Sequence, residues 1–133
     1  MKMIGTRKLV SGCLLSMVFL MPSSLAEENV ADVTDANFAK EVLKSKGPVF
    51  VDFYATWCGP CKVMAPVVDD LSKDFKGQIK FVRVDVDQSP KTAHKYQIEV
   101  IPTFDLFKKG QIVVTKSGAM PKEELKSKLS AAL

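Results

Sequence analysis

The apolar run Pro48-Val-Phe-Val-Asp-Phe-Tyr54 leads through Ala55 and Thr56 into Trp57-Cys58-Gly59-Pro60-Cys61-Lys62, and no other stretch constrains the fold as strongly. Val49 to Tyr54 is apolar apart from Asp52 and rich in β-branched and aromatic residues, which predicts a central strand buried on both faces. From Cys58 to about Phe75, Val63, Met64, Val67, Val68, Leu71 and Phe75 recur at helical spacing, with Asp69, Asp70, Lys73 and Asp74 on the other side. Pro66 sits inside that pattern and should kink the helix, because it removes a backbone donor. A strand that feeds such a helix through Cys-x-x-Cys places the first sulfur at a helix N-terminus, where the thiolate is favoured. The pair can also close a small ring, so it reads as a redox-active dithiol.

Around this unit the predicted elements alternate. Asn29 to Val33 forms a short strand, and Thr34 or Asp35 caps a helix with Phe38, Val42 and Leu43 on one face before Lys46-Gly47-Pro48 ends it. Ile79 to Val86 alternates as a strand, and Ser89 followed by Pro90 starts a short helix running to about Tyr96. Thr103 to Phe107 and Ile112 to Thr115 form a hairpin across Lys108-Lys109-Gly110-Gln111. Pro121 to Leu133 closes the chain as a helix with Leu125, Leu129 and Leu133 on one face. This order predicts an α/β fold, a central mixed sheet covered on both faces by helices.

The first twenty-six residues differ from the rest. Lys2, Arg7 and Lys8 precede an apolar run from Leu9 to Met21, and Ser24-Leu25-Ala26 supplies a small-residue cleavage pattern, so residues 1–26 read as a secretory signal and 27–133 as the domain. The alternative is a membrane anchor formed by residues 9–21, uncleaved, which would be the chain's only membrane contact. Val10-Ser11-Gly12-Cys13 resembles a lipoprotein box, but most of the apolar run follows Cys13 instead of preceding it. Losing the signal's three positives leaves 16 of the 19 basic residues against 15 acidic ones. The basic pI near 9.0 is therefore mostly the signal's, and no nucleic-acid partner is expected. Of three cysteines, only Cys58 and Cys61 remain, which leaves no structural disulfide framework.

Two other uses of the pair are weaker. A permanent staple closing so short a loop would stabilise little. A structural zinc takes four N or S ligands, and the domain offers two cysteines and His94, which reads as a solvated helix residue. No metal and no cofactor are expected.

Val51-Asp-Phe-Tyr-Ala-Thr-Trp-Cys-Gly-Pro-Cys-Lys62, with Pro66, Asp85-Val-Asp-Gln-Ser-Pro90, Ile101-Pro-Thr103 and Gly118, resembles the thioredoxin family over essentially the whole domain. The resemblance implies a thioredoxin fold. It implies that Cys58 is the nucleophile, Cys61 the resolving thiol, more buried and one turn further in, and Asp52 the buried proton acceptor and donor for Cys61. A carboxylate in an apolar strand is costly unless neutral, paired or wetted, which by itself predicts a raised pKa for Asp52. Where the family usually has a lysine near this acid, the chain has Arg83, whose fixed charge could hold Asp52 more ionised if it reaches. Pro102 matches the family's cis-proline. Trp57, Gly59, Pro60, Val100, Ile101, Pro102, Thr103 and Gly118 would then form the substrate-binding surface, with Val100 and Tyr54 departing from the residues common at their positions.

Gly59-Pro60 between the cysteines matches the reducing thioredoxins, whereas oxidases and isomerases of the superfamily typically carry a histidine there. Thioredoxin at about −270 mV and a strong periplasmic oxidant at about −120 mV differ by roughly 7 kcal/mol. The expectation is a thiol-disulfide oxidoreductase that reduces protein disulfides. The alternatives are an exported oxidase or isomerase, and a binding or chaperone module with incidental redox activity. The expected partners are protein disulfides and an electron-donating reductase or membrane carrier, the expected state is a monomer, and the expected location is a bacterial periplasm after cleavage following Ala26.

Overall fold

The computed structural model describes residues 29–133. The signal segment and Cys13 lie outside the described residues. Strands β1 (Val30–Asp32), β2 (Val49–Tyr54), β3 (Lys80–Asp85), β4 (Thr103–Lys108) and β5 (Gln111–Ser117) form one sheet in the order β1-β3-β2-β4-β5. β2 runs parallel to β3 and antiparallel to β4, so it is hydrogen-bonded on both edges and buried at every residue except Tyr54. Its near-continuous apolar composition fits that central place.

Alternation along β2 divides the core in two. Phe50 packs with Phe81, Phe104 and Leu106 under helices α1 (Gly59–Asp74) and α3 (Lys122–Ala131), whose Met64, Val68, Leu71, Leu125 and Leu129 close that face. Val49, Val51 and Phe53 face the opposite way, against Phe38, Val42, Phe107, Tyr96 and Ile98 beside α2 (Pro90–Lys95). The sheet is thus covered on both faces, as the element order predicts.

Three local expectations are corrected. After β1 the chain forms only a five-residue π-helical turn, Ala39–Leu43, which Lys44 N closes by donating to Ala39 O at 2.9 Å. Asp35 does not cap it. Its carboxylate accepts from Lys91 N, Thr92 N and Thr92 Oγ1 at 3.2, 2.8 and 2.7 Å, so it caps α2 from across the fold. Ser89, at the expected cap, makes no side-chain cap bond, and the donors left free at the start of α2 go to Asp35 instead. These hydrogen bonds, the Thr92 hydroxyl's first, hold the Asp35 carboxyl below its ordinary range.

The hairpin turn is tighter than expected. Lys108 pairs with Gln111 across Lys109 and Gly110, both at positive φ (52° and 76°), which suits the right-handed twist of the strands. A Cβ on Gly110 would also meet Leu43 O at 3.1 Å. The short turn starts β5 at Gln111, and the strand runs past a register shift beside Leu106 and Phe107 to Ser117, opposite Thr103.

Leu133 is the third correction. α3 ends at Ala131, and Leu133 is 49% exposed while Leu125 and Leu129 are fully buried. Leu129→Ala should therefore cost about 2–5 kcal/mol in urea unfolding, whereas Leu133→Ala should stay within about 0.5 kcal/mol. Equal losses would mean that the last leucine packs after all.

Candidate active site

β2 ends at Tyr54, and the chain turns through Ala55 so that Cys58 takes the N-cap position of α1. Cys58 is extended (φ −83°, ψ 115°), and its Sγ accepts from Cys61 N at 3.2 Å. Pro60 in the first turn has no N–H to offer, so the free donor that reaches the sulfur is that of Cys61. The two cysteines are joined as a disulfide with their Cα atoms 5.3 Å apart, the oxidised state of the pair. Ala55 packs beside them, with Tyr54, Val86 and Ile101 around. Burial does not separate the two sulfurs: Cys58 is 5% exposed and Cys61 6%. The expectation that Cys61 is the more buried is corrected, because the N-cap residue is itself tucked against the Ile101 loop. What separates them is the N–H aimed at Cys58.

Facing the disulfide, the Ile101–Pro102 peptide is cis, and Ile101 O lies 3.9 Å from Cys58 Sγ. The next strand braces this loop. Gly118, at φ +84°, donates from its N to Pro102 O at 2.8 Å. Thr103 Oγ1 donates to Val100 O at 2.5 Å and lies 2.9 Å from Ser117 Oγ. Pro102 and Thr103 are buried, so Thr103 shapes the loop from within, while Val100, Gly59 and Pro60 present themselves to solvent. Trp57 is 69% exposed, yet its indole Nε1 donates to Asp87 Oδ2 at 2.8 Å. Asp87 is held in turn by its own N–H on Asp85 Oδ1 at 2.9 Å. The sequence reading did not single out Asp87, whose partner lies thirty residues away.

Behind the pair, Asp52 and Cys61 line one cavity of about 130 Å³, together with Tyr54, Ala65 and Arg83. Asp52 is 4% exposed, and its Oδ1 has no hydrogen-bond partner among the described residues. Burial raises its pKa from 3.8 to about 7, against the opposing pull of the Arg83 charge and with a smaller push from Asp69. Asp52 and Arg83 are register partners on β2 and β3, but Arg83 Nη2 pairs with Asp69 Oδ1 at 3.2 Å and the guanidinium lies 5.8 Å from the Tyr54 ring centre. It acts on Asp52 through charge at a distance. His94 is exposed on α2, away from this constellation.

A second acid in an apolar strand escaped the sequence reading. Asp105 interrupts Thr103-Phe-Asp-Leu-Phe107 as Asp52 interrupts β2, and it is 2% exposed. The same signal marked both.

The comparisons match this geometry. The family model described as Thioredoxin matches residues 29–131. The chain belongs to the thioredoxin family. It is 45% identical over 104 residues to the thioredoxin of Pseudomonas aeruginosa, covering 78% of this chain and 96% of that protein. It is 50% identical over 103 residues to thioredoxin 1 of Synechococcus elongatus and 48% identical over 103 residues to thioredoxin 1 of a Nostoc species, each match covering 77% of this chain and 96% of the relative. This thioredoxin is a thiol-disulfide oxidoreductase of the protein-disulfide reductase kind, cycling Cys58 and Cys61 between dithiol and disulfide. It acts on protein disulfides and is recharged by a reductase. The oxidase, isomerase and binding-module readings are not favoured.

The Asp52 pKa sets a stability profile. Well below the ordinary value of 3.8 both folded and unfolded chains hold the proton, and Asp52 costs nothing in ionisation. As pH rises toward the folded value of about 7 the unfolded chain ionises first, so stability falls across that window and stays low above it. The full loss is on the order of 4 kcal/mol. Asp52→Asn should therefore gain stability over the parent between about pH 4 and about pH 8, read by urea unfolding of the oxidised protein. A difference that does not change with pH would assign the titration elsewhere.

Proposed function

We propose that this thioredoxin delivers electrons to protein disulfides outside the cytoplasm, with Cys58 attacking, Cys61 resolving and Asp52 moving the proton. The observation that carries the reading is the placement of Cys58 Sγ at the α1 N-cap, 3.2 Å from Cys61 N and facing the cis-proline loop. In the reduced protein the Cys58 thiolate is stabilised there by the N–H and the helix dipole. It attacks one sulfur of the client disulfide, and the other leaves as a thiolate. The client is then joined to Cys58. Asp52 takes the Cys61 proton within their common cavity, the Cys61 thiolate attacks Cys58 Sγ, and the second client sulfur leaves with the electron pair. Two electrons pass to the client, and the disulfide remains on the protein. An acid with a pKa of about 7 is poised to accept and return that proton near neutrality.

The client segment docks extended against Val100, Ile101 and Pro102, between Trp57, Gly59 and Pro60 on one side and Gly118 on the other. The exposure of Trp57 and Val100 supports this, at 69% and 54% for two large apolar side chains beside the disulfide. Export is supported by the three-part pattern of residues 1–26, which lie before the family match begins at residue 29. A bacterial periplasm is the compartment this implies, with a membrane electron carrier as the reductase and a monomer as the working form.

Two outcomes are expected. The purified protein should accelerate insulin reduction by dithiothreitol, Cys58→Ser should not, and Cys61→Ala should accumulate covalent adducts with clients. Equal activity of the parent and Cys58→Ser would sink the assignment of the nucleophile. The protein secreted from bacterial cells should begin at Glu27. Recovery of the intact N-terminus in the membrane fraction would instead favour an anchor.

A further inference from the structure

On the sheet face opposite Asp52, β4 and β5 place two polar pairs side by side. Thr103 stands opposite Ser117, and Asp105 opposite Thr115. The hydroxyls of the first pair lie 2.9 Å apart, and Thr115 Oγ1 donates to Asp105 Oδ1 at 2.7 Å. The row starts at the residue after the cis-proline and ends on a buried carboxylate. It floors a cleft of about 250 Å³ whose other wall is the Tyr96–Val100 segment, and half-exposed Val100 stands at the edge shared with the proposed docking surface.

The charge of this cleft is one-sided. Asp105 lies in its floor and Glu99 in its wall, and among the described residues no lysine or arginine lines it. A carboxylate offers about four acceptor sites, and among the described residues Thr115 is the one side chain that donates to Asp105. Burial pushes the Asp105 pKa up and the Thr115 hydroxyl pulls it down, so an incoming cation would stabilise its ionised form. Thr103 and Asp105 are two residues apart on one strand, about 6.7 Å. A lysine or arginine side chain entering the cleft beside Thr103, whose hydroxyl meets Val100 O, spans that distance.

We infer that the Asp105 cleft is a subsite for a lysine or arginine side chain of the client segment, and that Asp105 is a specificity-determining residue of this thioredoxin. This rests on the docking of clients along Val100–Pro102. The basic side chain lays its methylenes against Val100 and Ile112 and brings its charge to Asp105. Clients with a basic residue near the attacked cysteine are then reduced faster than clients without one.

The test uses short peptides with an intramolecular disulfide, identical except for lysine or norleucine at each of the three positions flanking the attacked cysteine. With the reduced parent protein, kcat/KM should favour lysine at one of these positions by about tenfold, the scale of one hydrogen bond to a charged group. Asp105→Asn and Asp105→Leu should bring that ratio close to one, while Glu99→Gln should lower it only in part. Equal rates for lysine and norleucine at every position in the parent overturn the subsite, and so does a preference that survives both Asp105 substitutions. The parent ratio needs no variant to fold. Trapping by Cys61→Ala separates the two levels: if both peptides are captured without preference, only the subsite fails. If neither is captured, the docking reading fails and the subsite with it.

Discussion

One backbone N–H, that of Cys61, points at Cys58 Sγ from the first turn of α1, and the surrounding structure keeps it there. A helix must leave its first donors unpaired, so a sulfur at the N-cap receives one at no cost to the helix. Holding that sulfur still is the harder task. β2 does so by being paired on both edges and buried on both faces, so the turn through Ala55 starts from a strand held in the middle of the sheet. The cis-proline loop opposes it, tied to β5 through Gly118 N and the Thr103 hydroxyl. The dithiol is thus gripped from the sheet centre on one side and from the terminal hairpin on the other.

What was legible in the sequence follows from range. β2 and α1 announce themselves because an apolar run and a helical period are local patterns, and the Cys-x-x-Cys sits at their junction. The mixed sheet and the helices on both faces followed from the alternation of elements and from the resemblance, whereas the order of the strands within the sheet came only with the structure. The contacts that the sequence hid all join distant residues. Asp35 looks like a cap for the turn beside it and instead caps α2, fifty-six residues on. Asp87 stands in the block Asp85-Val-Asp-Gln-Ser-Pro90 with no role that sequence assigns to it, and Trp57 donates to it from thirty residues away. Leu133 continues the spacing of Leu125 and Leu129, but the helix ends before it, and periodicity says nothing of where a helix stops. The equal burial of the two cysteines was hidden for the same reason, since the Ile101 loop that covers Cys58 comes from forty-three residues away.

Two carboxylates interrupt two neighbouring central strands, and the sheet treats them differently. Asp52 and Phe104 share one face, and Asp105 and Val51 the other. Asp105 has Thr115 as a partner and lies in the floor of a cleft. Asp52 shares its cavity with Cys61 and has one oxygen with no hydrogen-bond partner among the described residues. Burying a polar group without a partner costs free energy, so the unpartnered acid is the one that most needs a reason to be retained. Its place in one cavity with Cys61, the proposed resolving thiol, offers that reason.

The direction taken by Arg83 decides whether Asp52 can serve. A guanidinium is charged at every relevant pH and binds a carboxylate through two parallel hydrogen bonds. Had it closed on Asp52, the acid would be held in its ionised form with a depressed pKa, a weak base that takes up a proton poorly. Arg83 pairs instead with Asp69 at the surface and stacks near Tyr54, so only its distant charge tempers the burial of Asp52. The two opposing effects leave the pKa at about 7, where both protonation states are populated near neutrality. The proton-handling role proposed for Asp52 requires that balance. In this chain it depends first on the apolar strand that buries the acid, and then on the pairing of the arginine with Asp69.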